Sequence, residues 1–352
     1  MPRQARKKSE SGIKIGGKIY MKRIISMVLL LGIACTVLFI SSSFYAEEHK
    51  VITRPDTETD ILPFENENFA WELNDYMPKD KNYMFSPLSI KMALAMAAVG
   101  ADGETKDEIL TTLRIDNLEY FNEFSKQIIK EYSENEKVNL NIANSLWLNR
   151  DYYGGVDFED EYKKIISDYY DADSEEVNNA NAVEKINGWV DDKTKGKITE
   201  LISDNDFLSY IVNAIYFKGE WSSQFSEGAT RKAEFTDRND IKTEIDFMNQ
   251  TGYFDYYEDS QVQMVKLPYK DGKTSMYIVI PSSRELDFGK NIEKMERKRV
   301  QISLPKFKTE FSIELIEILS KMGIQTAFDQ NNADFKRMFT ETSENIFSRC
   351  GN

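Results

Sequence analysis

Ile211-Val-Asn-Ala-Ile-Tyr-Phe-Lys-Gly-Glu-Trp221 is a nearly continuous apolar run with one short polar side chain, Asn213, at its centre. A β-rich apolar run of this length fits a strand covered on both faces. A primary amide in such a strand costs roughly 1–3 kcal/mol unless its donors and acceptor are paired. Asn213 therefore predicts a buried polar network in the middle of a sheet. The other placement for it is a strand end facing water.

Helical patterns dominate the residues before this strand. Phe69 to Met77 reads as a first helix. Ser86-Pro87 pairs a capping hydroxyl with a proline at the first helical position. The Ala/Met-rich helix it opens runs to about Val99 with Lys91 as its one charge, a pattern for burial nearly all round. Gly100-Ala-Asp-Gly103 stops it, and Thr105-Lys-Asp-Glu108 fits a capping box for the next helix. Asn117 to Ser133, Phe158 to Ala172 and Ala182 to Thr194 read as further helices. Val138 to Leu148 begins with alternation and continues as an apolar strand. After Trp221 the chain turns β-rich: Thr243–Met248, Gly252–Tyr257, Gln263–Leu267, Ser275–Ile280 and Val300–Leu304. Asp271-Gly272 marks a hairpin turn before the fourth of these. Ser312 to Lys321 reads as a last helix, ended by Gly323. Helices first and sheet later, in non-local pairings, make an α+β domain.

Charge is strongly asymmetric. Of 45 basic and 59 acidic residues, eight basic and one acidic lie in residues 1–23, which leaves 37 and 58 for the remainder. So acidic a body argues against nucleic acid as a partner. Residues 24–46 hold no charge, and Met21-Lys-Arg23 precedes them as a basic n-region before an apolar h-region, the pattern of an export signal. Met21 is then the expected start, with cleavage after Ser43 or Ala46 and a secreted product. Two other fates fit the same segment: lipid attachment at Cys35 within Leu31-Gly-Ile-Ala-Cys35, or a retained membrane anchor. Residues 47–65 are a polar linker, and the folded domain is expected over 66–352.

The sole histidine, His49, lies in that linker, so the body holds no Ser-His-Asp triad, Cys-His pair or His-based metal site. Cys35 and Cys350 leave no disulfide framework. Gly-rich phosphate loops are missing after every strand. These inventories give no foothold to an enzyme, a cofactor or a metal.

Eight separated blocks resemble the serpin family. Phe85-Ser-Pro-Leu-Ser-Ile90 is similar to the start of its buried central helix, and Gly100-Ala-Asp-Gly-Glu-Thr105 to the turn behind it. Asn144-Ser-Leu-Trp147 and Asn213–Trp221 resemble neighbouring strands of the family's main sheet. Lys266-Leu-Pro-Tyr269, Leu304-Pro-Lys-Phe307, Met322-Gly-Ile324 and Ala333-Asp-Phe335 follow in the family's order, so the likeness spans roughly residues 66 to 347.

The resemblance implies a serpin-type fold: a large mixed central sheet, two further sheets and helices packed around them. It implies a suicide-substrate inhibitor of serine or cysteine proteases, whose cleaved reactive loop enters the main sheet as a new strand. Ser86, Ser89 and Asn213 would form the shutter, a hydrogen-bonded cluster under the place where that sheet parts. Ser86 is equally a plain helix cap. Trp221 and Gly219 would lie at the breach, where insertion begins; a strand-end core aromatic and a simple turn glycine are their other readings.

Two departures stand out. Only fifteen residues separate Pro281 from Arg297, where the family usually carries a longer helical insertion. The family pattern also continues for several dozen residues beyond its counterpart of Ser343–Phe347, through a further main-sheet strand, the hinge, the reactive loop and the last strands. Phe347-Ser-Arg-Cys-Gly-Asn352 has no family look, so the domain is expected to be truncated, without a reactive bond, and impaired in folding and inhibition. A non-inhibitory binding or folding-assistant protein on the same scaffold, and an inactive remnant, are the rival expectations.

Overall fold

The computed structural model describes residues 30–31, 65–152, 156–237, 239–281, 288–329 and 331–340. The basic extension, nearly all of the export segment with Cys35, the linker with His49, and the terminal Phe347–Asn352 lie outside the described residues. Among the described residues no helix is long and apolar enough to cross a membrane. No group of three or more His, Cys, Asp or Glu side chains there is placed to hold a metal.

Helix α1 spans Glu65–Asp75. Helix α2 (Pro87–Gly100) starts where its cap predicts: Ser86 is extended (φ −110°, ψ 106°) and its Oγ accepts the Ser89 N–H at 3.2 Å. Every residue from Ser89 to Gly100 is buried, Lys91 included. The capping box does not form. Helix α3 (Gly103–Thr112) begins earlier, with no side-chain cap from Asp102. Thr105 Oγ instead accepts the Asp334 N–H at 2.9 Å, and Glu108 accepts the N–H groups of Gln325 and Thr326 at 2.8 and 2.6 Å. Both side chains are thus spent on long-range loop anchoring rather than on their own helix. Helices α4 (Leu118–Ser133, capped by Asn117), α5 (Asp160–Tyr170) and α6 (Ala182–Lys193) follow the periodic readings. A short α7 (Phe288–Glu293) occupies part of the Pro281–Arg297 interval. Helix α8 covers only Ile316–Met322, because Phe311–Ser312 are extended.

Strands run from β1 (Leu30–Leu31) to β10 (Phe311–Ser312), and these two pair antiparallel. The central sheet has the order β3-β2-β4, with β2 spanning Val138–Asn149, β3 Ala172–Val177 and β4 Ser209–Gly219. It is mixed: β2 runs parallel to β3 and antiparallel to β4. Strand β1 lies beside β4 without pairing to it. Strand β3 was not legible in the sequence. Its Asp173-Ser-Glu-Glu176 is polar and exposed, as an outer strand allows.

Four more strands pair around β6: β5 (Arg231–Thr236), β7 (Val262–Pro268), β8 (Ser275–Pro281) and β9 (Glu296–Pro305). Besides the central sheet the described strands form this five-stranded sheet and the β1–β10 pair; β6 (Lys242–Glu258) is one continuous strand where two were expected. It pairs with β5 over Lys242–Phe247, with β9 over Phe247–Tyr256 and with β7 over Asp255–Glu258. Gly252, taken as the start of a new strand, lies inside β6. A Cβ there would stand 3.0 Å from the Phe254 ring, so the glycine marks close packing within a strand rather than a turn.

Strand β4 separates two apolar clusters. Ile211, Ile215 and Phe217 face the cluster built on α2, while Tyr210 and Val212 face the one built on α6. The strand is covered on both faces, as its apolar run predicts.

Candidate functional site at the β2–β4 pair

Asn213 is 5% exposed and lies on the α2 side of β4. Its Oδ1 accepts from the Ser89 hydroxyl of α2. Its Nδ2 donates to Asn144 Oδ1 at 2.7 Å. Asn144 is its direct cross-strand partner on β2, so two amides meet side by side within the sheet. Asn144 Nδ2 then donates to the main-chain oxygen of Tyr170 at 2.7 Å, and the Tyr170 hydroxyl donates to Asn122 Oδ1 of α4 at 2.6 Å. Ser89, Asn144, Tyr170, Asn122 and Asn213 are all buried. In low dielectric each of these bonds is strong, and each partner left alone is costly.

The geometry puts the amide in a buried network, not at a wet strand end. It brings Ser89 and Asn213 together directly. Ser86 joins them only through its cap on the Ser89 N–H and makes no described bond to Asn213. Asn144, Tyr170 and Asn122 carried no assignment from sequence. Asn144 had the same signal as Asn213, a primary amide inside the apolar run Ile142–Leu148. Asn122 and Tyr170 sit in amphipathic helices, where the pattern does not distinguish them. Burial holds the Tyr170 phenol well above its ordinary value.

The far end of β4 is built on aromatic packing. Gly219 pairs with Val138, and a Cβ on it would stand 2.6 Å from the Tyr269 ring and 2.9 Å from that of Phe217. Close approach, rather than a turn, requires this glycine. Trp221 forms an isolated antiparallel bridge with Tyr269, and their rings stack with centroids 4.5 Å apart and planes 12° from parallel. The Trp221 ring is partly buried, so it closes the end of β4 without being locked inside the core.

A profile of the family described as Serpin (serine protease inhibitor) matches residues 64–348. This chain is a serpin. An uncharacterised serpin-like protein of Thermococcus kodakarensis is 31% identical over 304 residues, covering 78% of this serpin and 70% of that protein. Serpin B6 of Macaca fascicularis is 32% identical over 308 residues, covering 79% and 81%. The crystal structure of the thermophilic serpin tengpin in its native state superposes with a TM-score of 0.72 at 28% identity, over 82% of this chain and 79% of that one. The serpin fold is thus shared across most of the chain, and its family is one of protease inhibitors rather than enzymes.

Proposed function

We propose that this serpin acts on serine or cysteine proteases by strand insertion, with the edge of β4 opposite β2 as the accepting edge and Ser86, Ser89 and Asn213 as the shutter beneath it. The observation that carries this reading is the Ser89–Asn213–Asn144 network: a costly buried polar cluster placed under β4, which among the described residues pairs only with β2. Main-chain groups along such an edge bind an extended segment by strand addition. Gly219 and Trp221 would form the end where that segment enters, since the stacked Trp221–Tyr269 pair can part without disrupting the core ladder.

An extended Ala/Thr-rich peptide of about eleven residues, matched to the length of β4, is expected to bind one to one and raise the melting temperature. Unchanged melting across a peptide titration would remove the strand-accepting reading. Export through residues 24–46 belongs to the same proposal. N-terminal sequencing of the product from the culture medium is expected to begin after Ser43 or Ala46.

A further inference from the structure

Phe311 of β10 and Ile211, Ile215 and Phe217 of β4 belong to one apolar cluster, yet among the described residues no ladder joins the two strands. Phe311 is buried and its ring centroid lies 6.1 Å from that of Tyr83, so β10 is fixed in the core. The backbone that reaches both strands is β1. It pairs antiparallel with β10, Leu30 opposite Ser312 and Leu31 opposite Phe311, and it runs beside β4. Both faces of β4 carry apolar clusters and one of its edges carries β2. What approaches β4 from β10 therefore stands at the other edge. Leu30 and Leu31 belong to residues 24–46, the longest uncharged stretch of the chain, with Ile24, Ile25, Val28, Ile33, Val37 and Ile40 as its β-branched aliphatic residues. A strand beside β4 needs such a composition, because its neighbour is covered on both faces.

We infer that the chain at Leu30–Leu31 is a strand donor in cis: while the export segment stays attached, it holds the gap between β4 and β10, and it must leave before another strand enters. The inference rests on the strand-insertion reading for its consequence but not for the contact itself. The apolarity of this segment then serves twice, as an export signal and as cover for the β4 edge. Cleavage after Ser43 or Ala46 would open that edge. A tethered donor has a high local concentration, so an added strand must compete with it. Apparent affinity for the added strand falls by the fraction of molecules whose gap is open. An occupied edge also offers no template for pairing between copies.

Two measurements on the full chain test this. Directly opposed residues of an antiparallel pair stand about 4.5–5.5 Å apart at Cα, within reach of a disulfide. Leu30→Cys with Ser312→Cys, in a chain that also carries Cys35→Ser and Cys350→Ser, is expected to cross-link under mild oxidation, as read by peptide mass. Leu30→Cys with Glu234→Cys, which lies on the exposed β5, is expected to stay reduced. Equal cross-linking of the two pairs, or none, overturns the inference. Uptake of the Ala/Thr-rich peptide matched to β4 gives the second measurement. The oxidised Leu30→Cys/Ser312→Cys chain is expected to bind it about tenfold or more weakly than the same chain after reduction. Leu30→Pro or Leu31→Pro, whichever removes the N–H that points at β10, is expected to bind it about tenfold more tightly than the unsubstituted chain. Equal affinity in the oxidised and reduced forms overturns the inference as well. If no form takes up peptide, the proline variants included, strand insertion falls instead, while the cross-link still decides the contact in cis.

Discussion

An amide in an apolar strand is a liability until its hydrogen bonds close. Asn213 spends its two functional ends on Ser89 and Asn144. Asn213→Ala would leave a buried hydroxyl and a buried amide oxygen without that partner. The expected loss is about 1–3 kcal/mol, read by urea denaturation. Asn144→Ala should cost a similar amount, since it strands Asn213 Nδ2 and the Tyr170 carbonyl. Gly219→Ala is a different kind of test. Its Cβ would meet the Tyr269 ring at 2.6 Å, so that ring must move and the Trp221 stack must open. An overpacking loss of about 1–3 kcal/mol is expected, together with a change in tryptophan emission. Unchanged emission and stability would mean that the Tyr269 ring yields freely.

At the scale of elements, α2 owes its start to Ser86, and Ser86→Ala is expected to cost about 1 kcal/mol of stability. That substitution should leave the Ser89–Asn213 bond in place, which separates capping from the shutter cluster. Helix α5 carries a pH signature. Burial raises the phenols of Tyr162 and Tyr170 above their ordinary value of 10.0. A raised folded-state value means a contribution fully present below pH 10.0 and lost as pH climbs beyond it, because only the unfolded chain ionises readily there. Alkaline titration should therefore show tyrosinate absorbance from these two residues appearing together with loss of helical dichroism. Ionisation of all tyrosines before any unfolding would contradict their burial. Elements with a clean period were readable from the sequence: α4 matches its amphipathic stripe nearly residue for residue. Strand β3 and the start of α3 were not, because Asp173–Glu176 and Thr105 take their roles from partners far along the chain.

For the whole molecule, edges matter most. Among the described residues β8 ends its sheet, and Ser275-Met-Tyr-Ile-Val-Ile-Pro281 carries no charge while Ile280 is 60% exposed. Such an edge invites pairing between copies. Ile280→Lys is expected to lower light scattering on concentration or heating without lowering the melting temperature. The opposite edge strand, β9, already carries Arg297-Lys-Arg299, a charged guard of the same type.

The amino-acid sequence by itself determined the α+β class, the buried α2, the two-faced strand β4 and the need for a polar network at Asn213. These follow from local periodicity and from the fixed cost of burying an amide, which require no knowledge of partners. Only the tertiary structure decided who those partners are. Ser89 and Asn213 are separated by 124 residues and Asn144 and Asn213 by 69. Which distant donor meets which acceptor depends on strand register and helix docking, and these are set by the packing of the whole core.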